Sequence, residues 1–123
     1  MRVLLSIRPE FAAGIFDGSK KYEYRRAIFK RPGVTKIVVY ASGSVKRIIG
    51  EFEIGPVLHD KPHALWAKTK EHAGISRKEF FQYFRDKAKG YAIQVGATRK
   101  YDTPFPLSQL MVATAPQSFM YLP

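Results

Sequence analysis

The residues best equipped for chemistry crowd into the first quarter of the chain. Gly18, Lys20, Glu23 and Arg25 follow the spacing Gly-x-Lys-x-x-Glu-x-Arg. A glycine bend lets backbone approach a ligand closely. The Lys20 ammonium that follows can contact a phosphate or, stripped of water, serve as a base or nucleophile. Arg25 offers a planar two-pronged donor for a phosphate or a base edge. Glu23 can accept from an exocyclic amino group, as carboxylates do with cytosine. Alternation places Glu23 and Arg25 on one face of a strand. Lys20 has the opposite parity and joins them only if the strand begins at or after residue 21. A carboxylate within about 4–6 Å favours a charged lysine, so the spacing predicts a cationic anchor at Lys20. The plainer alternative is an ion-pair cluster that braces the fold.

Other side chains could complete such a site. Arg8 lies just upstream, and Glu51 supplies a second carboxylate. Ser6, Tyr40 and Ser42 bring hydroxyls near strand ends. Tyr22, Tyr24 and Tyr40 are interleaved with Lys20, Lys21, Arg25 and Arg26. Single-strand binders combine cations with stacking rings in this way. At least two of these three tyrosines are expected to be core or wall residues. Lys30, Arg31, Lys36, Lys46 and Arg47 are candidates for outer phosphate contacts. A metal is not expected: His59 and His63 stand four apart with Pro62 between them, and His72 adds no convincing third ligand. No P-loop or dinucleotide fingerprint appears, so no cofactor is expected.

Several elements must hold these residues in place. Residues 2–7 read as a strand, and Pro9 suits the first turn of a helix that Gly18 caps. Phe11, Ala12, Ile15 and Phe16 give that helix an apolar stripe. Residues 20–26 and 35–42 read as strands, the second fully buried. Residues 45–54 form another strand, with Ile48, Phe52 and Ile54 on one face. Gly50 inside it suggests a bulge or a close backbone approach. Residues 55–62 read as a connection, and 62–73 as a helix. Ser76 and Glu79 form a capping box for the next helix, which carries Phe80, Phe81 and Phe84. Residues 90–101 and 115–122 complete the strands. About six strands and three helices make an α+β fold, a barrel or strongly curved sheet whose edges need closure or helical cover.

Composition narrows the function classes. The 123 residues are 46% hydrophobic and 25% charged, which fits one soluble globular domain spanning 1–123. No apolar run reaches the roughly 18–20 residues of a membrane helix. The absence of cysteine removes disulfides, thiolate metal sites and a cysteine nucleophile, and fits a cytoplasmic location. Twenty-one Lys and Arg against ten Asp and Glu leave a net charge of +11, which favours polyanionic partners. Eleven basic and three acidic residues fall within 1–50, so most of that field belongs to the first half.

The segment LLSIRPEFAAGIFDGSKKYEYRR resembles the opening of the ASCH domain family, a branch of the PUA-like β-barrel superfamily. It fits that family's GxKxxExR motif at each fixed position, after a Ser6-Ile7-Arg8-Pro9 segment. KIVVYAS, IIGEFEIG, GISRKEFFQYF, GYAIQV and the closing PQSFMYL continue the likeness along nearly the whole chain. The last is similar to a subgroup described as RNA-binding or transcriptional-regulator-like. The resemblance implies a PUA-like β-barrel with a cleft lined by the motif. It implies binding of RNA or single-stranded nucleic acid, and in some members hydrolysis of RNA or of acetylated cytidine. The amidohydrolase kind has threonine three residues after the motif lysine, where this chain has Glu23, and a glutamate in the region of Glu51 completes its catalytic set.

The expected function is therefore binding of RNA, another single strand or a nucleotide. The candidate contacts are Ser6, Arg8, Lys20, Tyr22, Glu23, Arg25, Tyr40 and Ser42. The alternatives are a hydrolase using Lys20, Glu23 and Glu51, and a protein-interaction adaptor. Neither a membrane nor a metal partner is expected.

Overall fold

The computed structural model describes residues 1–123. Six strands form one mixed sheet: β1 (Arg2–Ile7), β2 (Tyr22–Arg25), β3 (Lys36–Ala41), β4 (Arg47–Asp60), β5 (Gly90–Phe105) and β6 (Phe119–Leu122). Three α-helices, α1 (Pro9–Asp17), α2 (Pro62–Thr69) and α3 (Arg77–Tyr83), fall between them. The strand order is β2-β5-β4-β3-β1-β6, with β1 and β3 parallel and the other pairs antiparallel. The sheet curls into a half-barrel, and its edge strands β2 and β6 share no ladder. No helix is long and apolar enough to cross a membrane.

Three apolar cores hold the sheet. Val3, Leu5 and Ile7 of β1 and Ile37 and Val39 of β3 pack with Ala12 and Ile15 of α1. Leu4, Val38, Ile48 and Leu122 line the opposite face, under Tyr101, Phe105 and Leu110. The third core seats Tyr24 and Ala92 against Leu65 of α2 and Phe80 and Phe84 of α3. Pro9 opens α1, and Gly18 closes it in the left-handed conformation at φ 88°. At α3 the Ser76 hydroxyl accepts from the Glu79 amide at 3.1 Å, the capping bond that its sequence predicts.

Two expectations are corrected in β4. Residues 55–62 were expected to connect elements, yet the strand runs on to Asp60. Beyond Glu53 it has left β3 and has only β5 beside it, and the register shifts between Ile54 and Val57. Gly55 and Pro56 sit at that irregularity, where a missing ladder donor does no damage. Ile48 and Phe52 were expected on one face. Tyr40 pairs with Ile48 but Val39 with Gly50, so Ile49 is an extra residue that inverts the alternation. Ile48 and Phe52 consequently enter different cores. Gly50 fits because a Cβ there would meet the Arg99 carbonyl oxygen and the Phe16 ring at 2.6 Å.

Candidate functional site

The end of β1, the start of α1, β2 and α3 converge on a cavity of about 370 Å³. Ser6, Arg8, Lys20, Glu23 and Arg25 line it, as the motif reading expects. β2 starts at Tyr22, so Lys20 lies before the strand and escapes its alternation. Parity therefore does not keep it from Glu23.

Lys20 is only 2% exposed, one of the largest fully enclosed side chains in the molecule. Two glycines make room for its stem. A Cβ on Gly74 would meet Lys20 Cβ at 2.5 Å, and one on Gly14 would meet it at 3.1 Å. Gly74 also has a φ of +62°, a conformation that L side chains rarely adopt. The Lys20 ammonium donates to the Ala73 carbonyl at 2.7 Å. It faces the Phe11 and Tyr24 rings, 5.1 and 4.7 Å from their centroids. Burial pulls its pKa down to about 8, against the upward pull of Glu23. Lys20 stays mostly protonated at neutral pH, though less firmly than the carboxylate alone would hold it. Loss of water outweighs the carboxylate partner.

Glu23 is 5% exposed. Burial pushes its carboxyl above the usual range, with Lys20 and Arg25 opposing the shift. Its Oε2 accepts from Arg25 at 3.2 Å. No protein donor meets the other oxygen, which is open to solvent. Tyr24 anchors the same wall. The Thr69 hydroxyl donates to the Leu65 carbonyl at 2.7 Å, leaving its oxygen to accept from the Tyr24 hydroxyl at 2.6 Å. Burial pushes the Tyr24 pKa up to about 12.

Arg25 has little of its fork to spare. Nη1 donates to the Ser6 carbonyl at 3.3 Å and to Glu23. Nη2 donates to the Ser118 carbonyl and hydroxyl, each at 2.9 Å. The guanidinium thus ties edge strand β2 to the segment entering edge strand β6. Its sequence alone suggests a free phosphate fork, and these internal acceptors use that capacity. Arg8 stands at the exposed rim, paired with Glu10 and 4.8 Å from the Phe11 ring centroid.

Four candidates lie elsewhere. Tyr22 packs beside the third core and Tyr40 within the second, so neither ring faces the cavity. With Tyr24 also buried, two of the three tyrosines are wall residues, as anticipated. The Ser42 hydroxyl donates to the Ile7 carbonyl at 3.3 Å, a local bond that holds β1 to β3. Glu51 accepts from Tyr101 at 2.7 Å and pairs with Lys36 at 3.1 Å on the β4–β5 face. The Tyr101 hydrogen bond, with Lys36 helping, holds its carboxyl below the usual range. Its register partner Val38 faces the second core, which turns Glu51 away from Lys20. Lys30, Arg31, Lys36, Lys46 and Arg47 also lie outside the lining.

The cavity contains residues that motif reading missed: Phe11, Ile75, Glu79, Gln82, Tyr83 and Gln117. Glu79, Gln82 and Tyr83 have helical i, i+3, i+4 spacing, so the sequence did carry a signal for their common face. Burial raises the Tyr83 pKa. Gln117 carried no such signal, because an irregular segment brings it to the rim.

A half-barrel with a charged pocket at its mouth is the ASCH, PUA-like architecture. The crystal structure of ASCH from Zymomonas mobilis superposes with a TM-score of 0.89 at 28% identity, covering 99% of this chain and 87% of that one. The chain belongs to the family described as "Domain of unknown function (DUF365)", whose model matches residues 3–117. It is 30% identical over 89 residues to the ASCH domain-containing ribonuclease of Zymomonas mobilis subsp. mobilis, covering 72% of this chain and 60% of that protein. It is 28% identical over 121 residues to ATP synthase subunit alpha of Ureaplasma parvum serovar 3, covering 98% of this chain but 15% of that protein. The chain thus spans only part of the curated relatives it matches.

Proposed function

We propose that this chain is one ASCH module that binds RNA as a single strand and takes one unstacked nucleotide into the cavity beneath α3. The supporting observation is that buried Lys20 and Glu23 both line one 370 Å³ pocket. That volume lies near the lower end of small-molecule sites, about 300–1,000 Å³, which suits one nucleotide better than a stacked run. Glu23 Oε1 accepts from a base N–H, and the Lys20 ammonium donates to a ring nitrogen or carbonyl. Tyr83 and Phe11 offer apolar flanks. Arg25 acts indirectly, holding Glu23 and the Gln117 wall. The field of a +11 protein attracts the phosphates.

The test is binding of a short single-stranded RNA measured across salt concentrations. The dissociation constant should weaken steeply with salt because phosphate neutralisation releases counterions. Duplex RNA of the same sequence should bind more weakly. A flat salt response, or equal affinity for the duplex, would overturn this reading.

Ribonuclease activity is the second reading. It is favoured by the likeness to the Zymomonas ASCH domain-containing ribonuclease and by a lysine whose pKa, about 8, lies close to neutral operating pH. Here Lys20 takes the proton from a ribose 2′-hydroxyl as that oxygen attacks phosphorus. Incubation with the same RNA separates the readings: products lost in Lys20→Arg indicate catalysis, and intact RNA indicates binding alone.

A further inference from the structure

Lys20 is built more tightly than a phosphate anchor requires. An anchor works best as an exposed, mobile ammonium. This one is threaded between Gly14 and Gly74, fixed through its nitrogen to the Ala73 carbonyl, and faced by two aromatic rings. It still reaches the pocket, which a carboxyl with one unpartnered oxygen also lines. We propose that Lys20 is an imine-forming lysine, whose amine condenses with an aldehyde on a nucleotide-sized ligand, the open-chain sugar of an abasic nucleotide being the class that fits. The inference rests on the nucleic-acid reading for the identity of the ligand but not for the amine chemistry.

The step balances without an outside oxidant or reductant. The amine lone pair bonds to the carbonyl carbon, and the C=O π pair moves to oxygen, which takes a proton. The resulting carbinolamine loses that oxygen as water, and a C=N bond forms. Ammonium plus aldehyde thus gives protonated imine plus water. Glu23, held above the usual carboxyl range by burial, lines the same pocket and is the acid that protonates the departing hydroxyl.

The surroundings favour this product over an acylated lysine. A protonated imine keeps the positive charge that the Phe11 and Tyr24 faces stabilise. It also keeps a cation whose field reaches buried Glu23. Acylation would remove that charge and leave Glu23 with Arg25 alone. Reactivity follows from burial as well. With a pKa of about 8 against 10.5, the neutral fraction of Lys20 at pH 7 is about 300-fold that of an ordinary lysine. An abasic nucleotide lacks the base that would otherwise fill the pocket, which lets its C1′ carbon approach the floor.

The experiment is reductive trapping. The full chain is incubated with a short RNA carrying one abasic ribose, with cyanoborohydride supplying hydride to the imine carbon. The modified lysine is located by mass spectrometry. Acetaldehyde in place of the RNA reads amine reactivity alone, and an intact RNA reads binding alone. Lys20 should carry about tenfold more adduct than any other lysine in both trapping arms. Its labelling rate should climb between pH 6 and 8, a profile set by Lys20 among Arg8, Glu23, Tyr24, Arg25, Glu79 and Tyr83. Lys20→Arg should abolish the adduct, and mapping within the unaltered chain gives the answer even if that variant does not fold. Adducts spread evenly over surface lysines, while intact RNA still binds, would overturn the imine proposal and spare the nucleic-acid reading. Selective labelling of Lys20 by acetaldehyde with no RNA binding would support the amine chemistry and remove RNA as its ligand.

Discussion

At the residue scale, the molecule keeps an amine and a carboxyl where both lose hydration. Such pairs are structurally expensive. Removing one partner of a buried pair leaves the other charge uncompensated, at a cost of about 3–5 kcal/mol where nothing else faces it. Lys20→Met leaves buried Glu23 with Arg25 alone, so it should lower thermal stability at pH 7, while RNA affinity falls at least about tenfold, a loss of ~1.4 kcal/mol. Calorimetry and binding on the same preparation check both halves. A fall in stability with unchanged RNA affinity would mark Lys20 as a scaffold residue. The pH response carries a sign. The folded Lys20 loses its proton near pH 8 and the unfolded one near 10.5, so between these values the unfolded chain binds more protons. Stability should rise over that window, by about 3 kcal/mol as a ceiling, and the gain should be absent in Lys20→Met. Tyr24, raised to about 12, opposes the trend above pH 10, so the clean window is pH 8–10. Glu23 acts lower. Its folded carboxyl keeps a proton longer than the unfolded one, so its contribution falls as pH climbs past 4.5.

Helices and strands translate the motif into a pocket. Gly18 ends α1, two residues later Lys20 turns inward, and β2 begins only at Tyr22. The segment after the 3-10 turn Lys70–His72 closes over the lysine, with Gly74 against its stem. Gly74→Ala forces a Cβ to within 2.5 Å of Lys20 and places a side chain at φ +62°. It should destabilise the fold by about 1–3 kcal/mol and weaken RNA binding although residue 74 does not line the cavity. Denaturant unfolding and the salt titration read the two effects. Unchanged RNA affinity would show that Lys20 position does not matter to the ligand. The glycine pattern was visible beforehand, but its meaning was not. Gly18 announced a helix end and Gly50 a close approach, whereas nothing local marks the role of Gly74, because its neighbour Lys20 is 54 positions earlier in the chain.

For the whole molecule, charge and closure are the governing features. Eight of the ten basic residues in 51–123 fall within 61–89, so the helical layer opposite the motif is itself basic. Closure depends on Arg25, which spans from β2 to the chain just before β6. On the other side of β6, Arg2 pairs with Leu122, so the first and last strands lie side by side. A permuted chain that joins these ends through a short linker and opens at the exposed Ser44–Val45 turn should fold, with a melting temperature within a few degrees of the original. Loss of cooperative melting would show that the β3–β4 turn is needed for closure.

Local patterns determined much of this by themselves. The glycine-capped first helix, the Ser76 capping box, the buried β3 run and the motif that supplies Lys20, Glu23 and Arg25 to the pocket are properties of neighbours within a turn or a strand. Short-range sterics and hydrogen bonding dictate them wherever the chain goes. Tertiary structure decided which candidates meet. One extra residue at Ile49 reverses the faces of β4, and the turn of Glu51 away from Lys20 depends on pairing with β3. The burial that lowers Lys20 comes from Gly14, Ala73 and Gly74, and the fork of Arg25 is used up by Ser6 and Ser118. Register, desolvation and barrel closure are sums over residues far apart in the chain, and no local spacing encodes them.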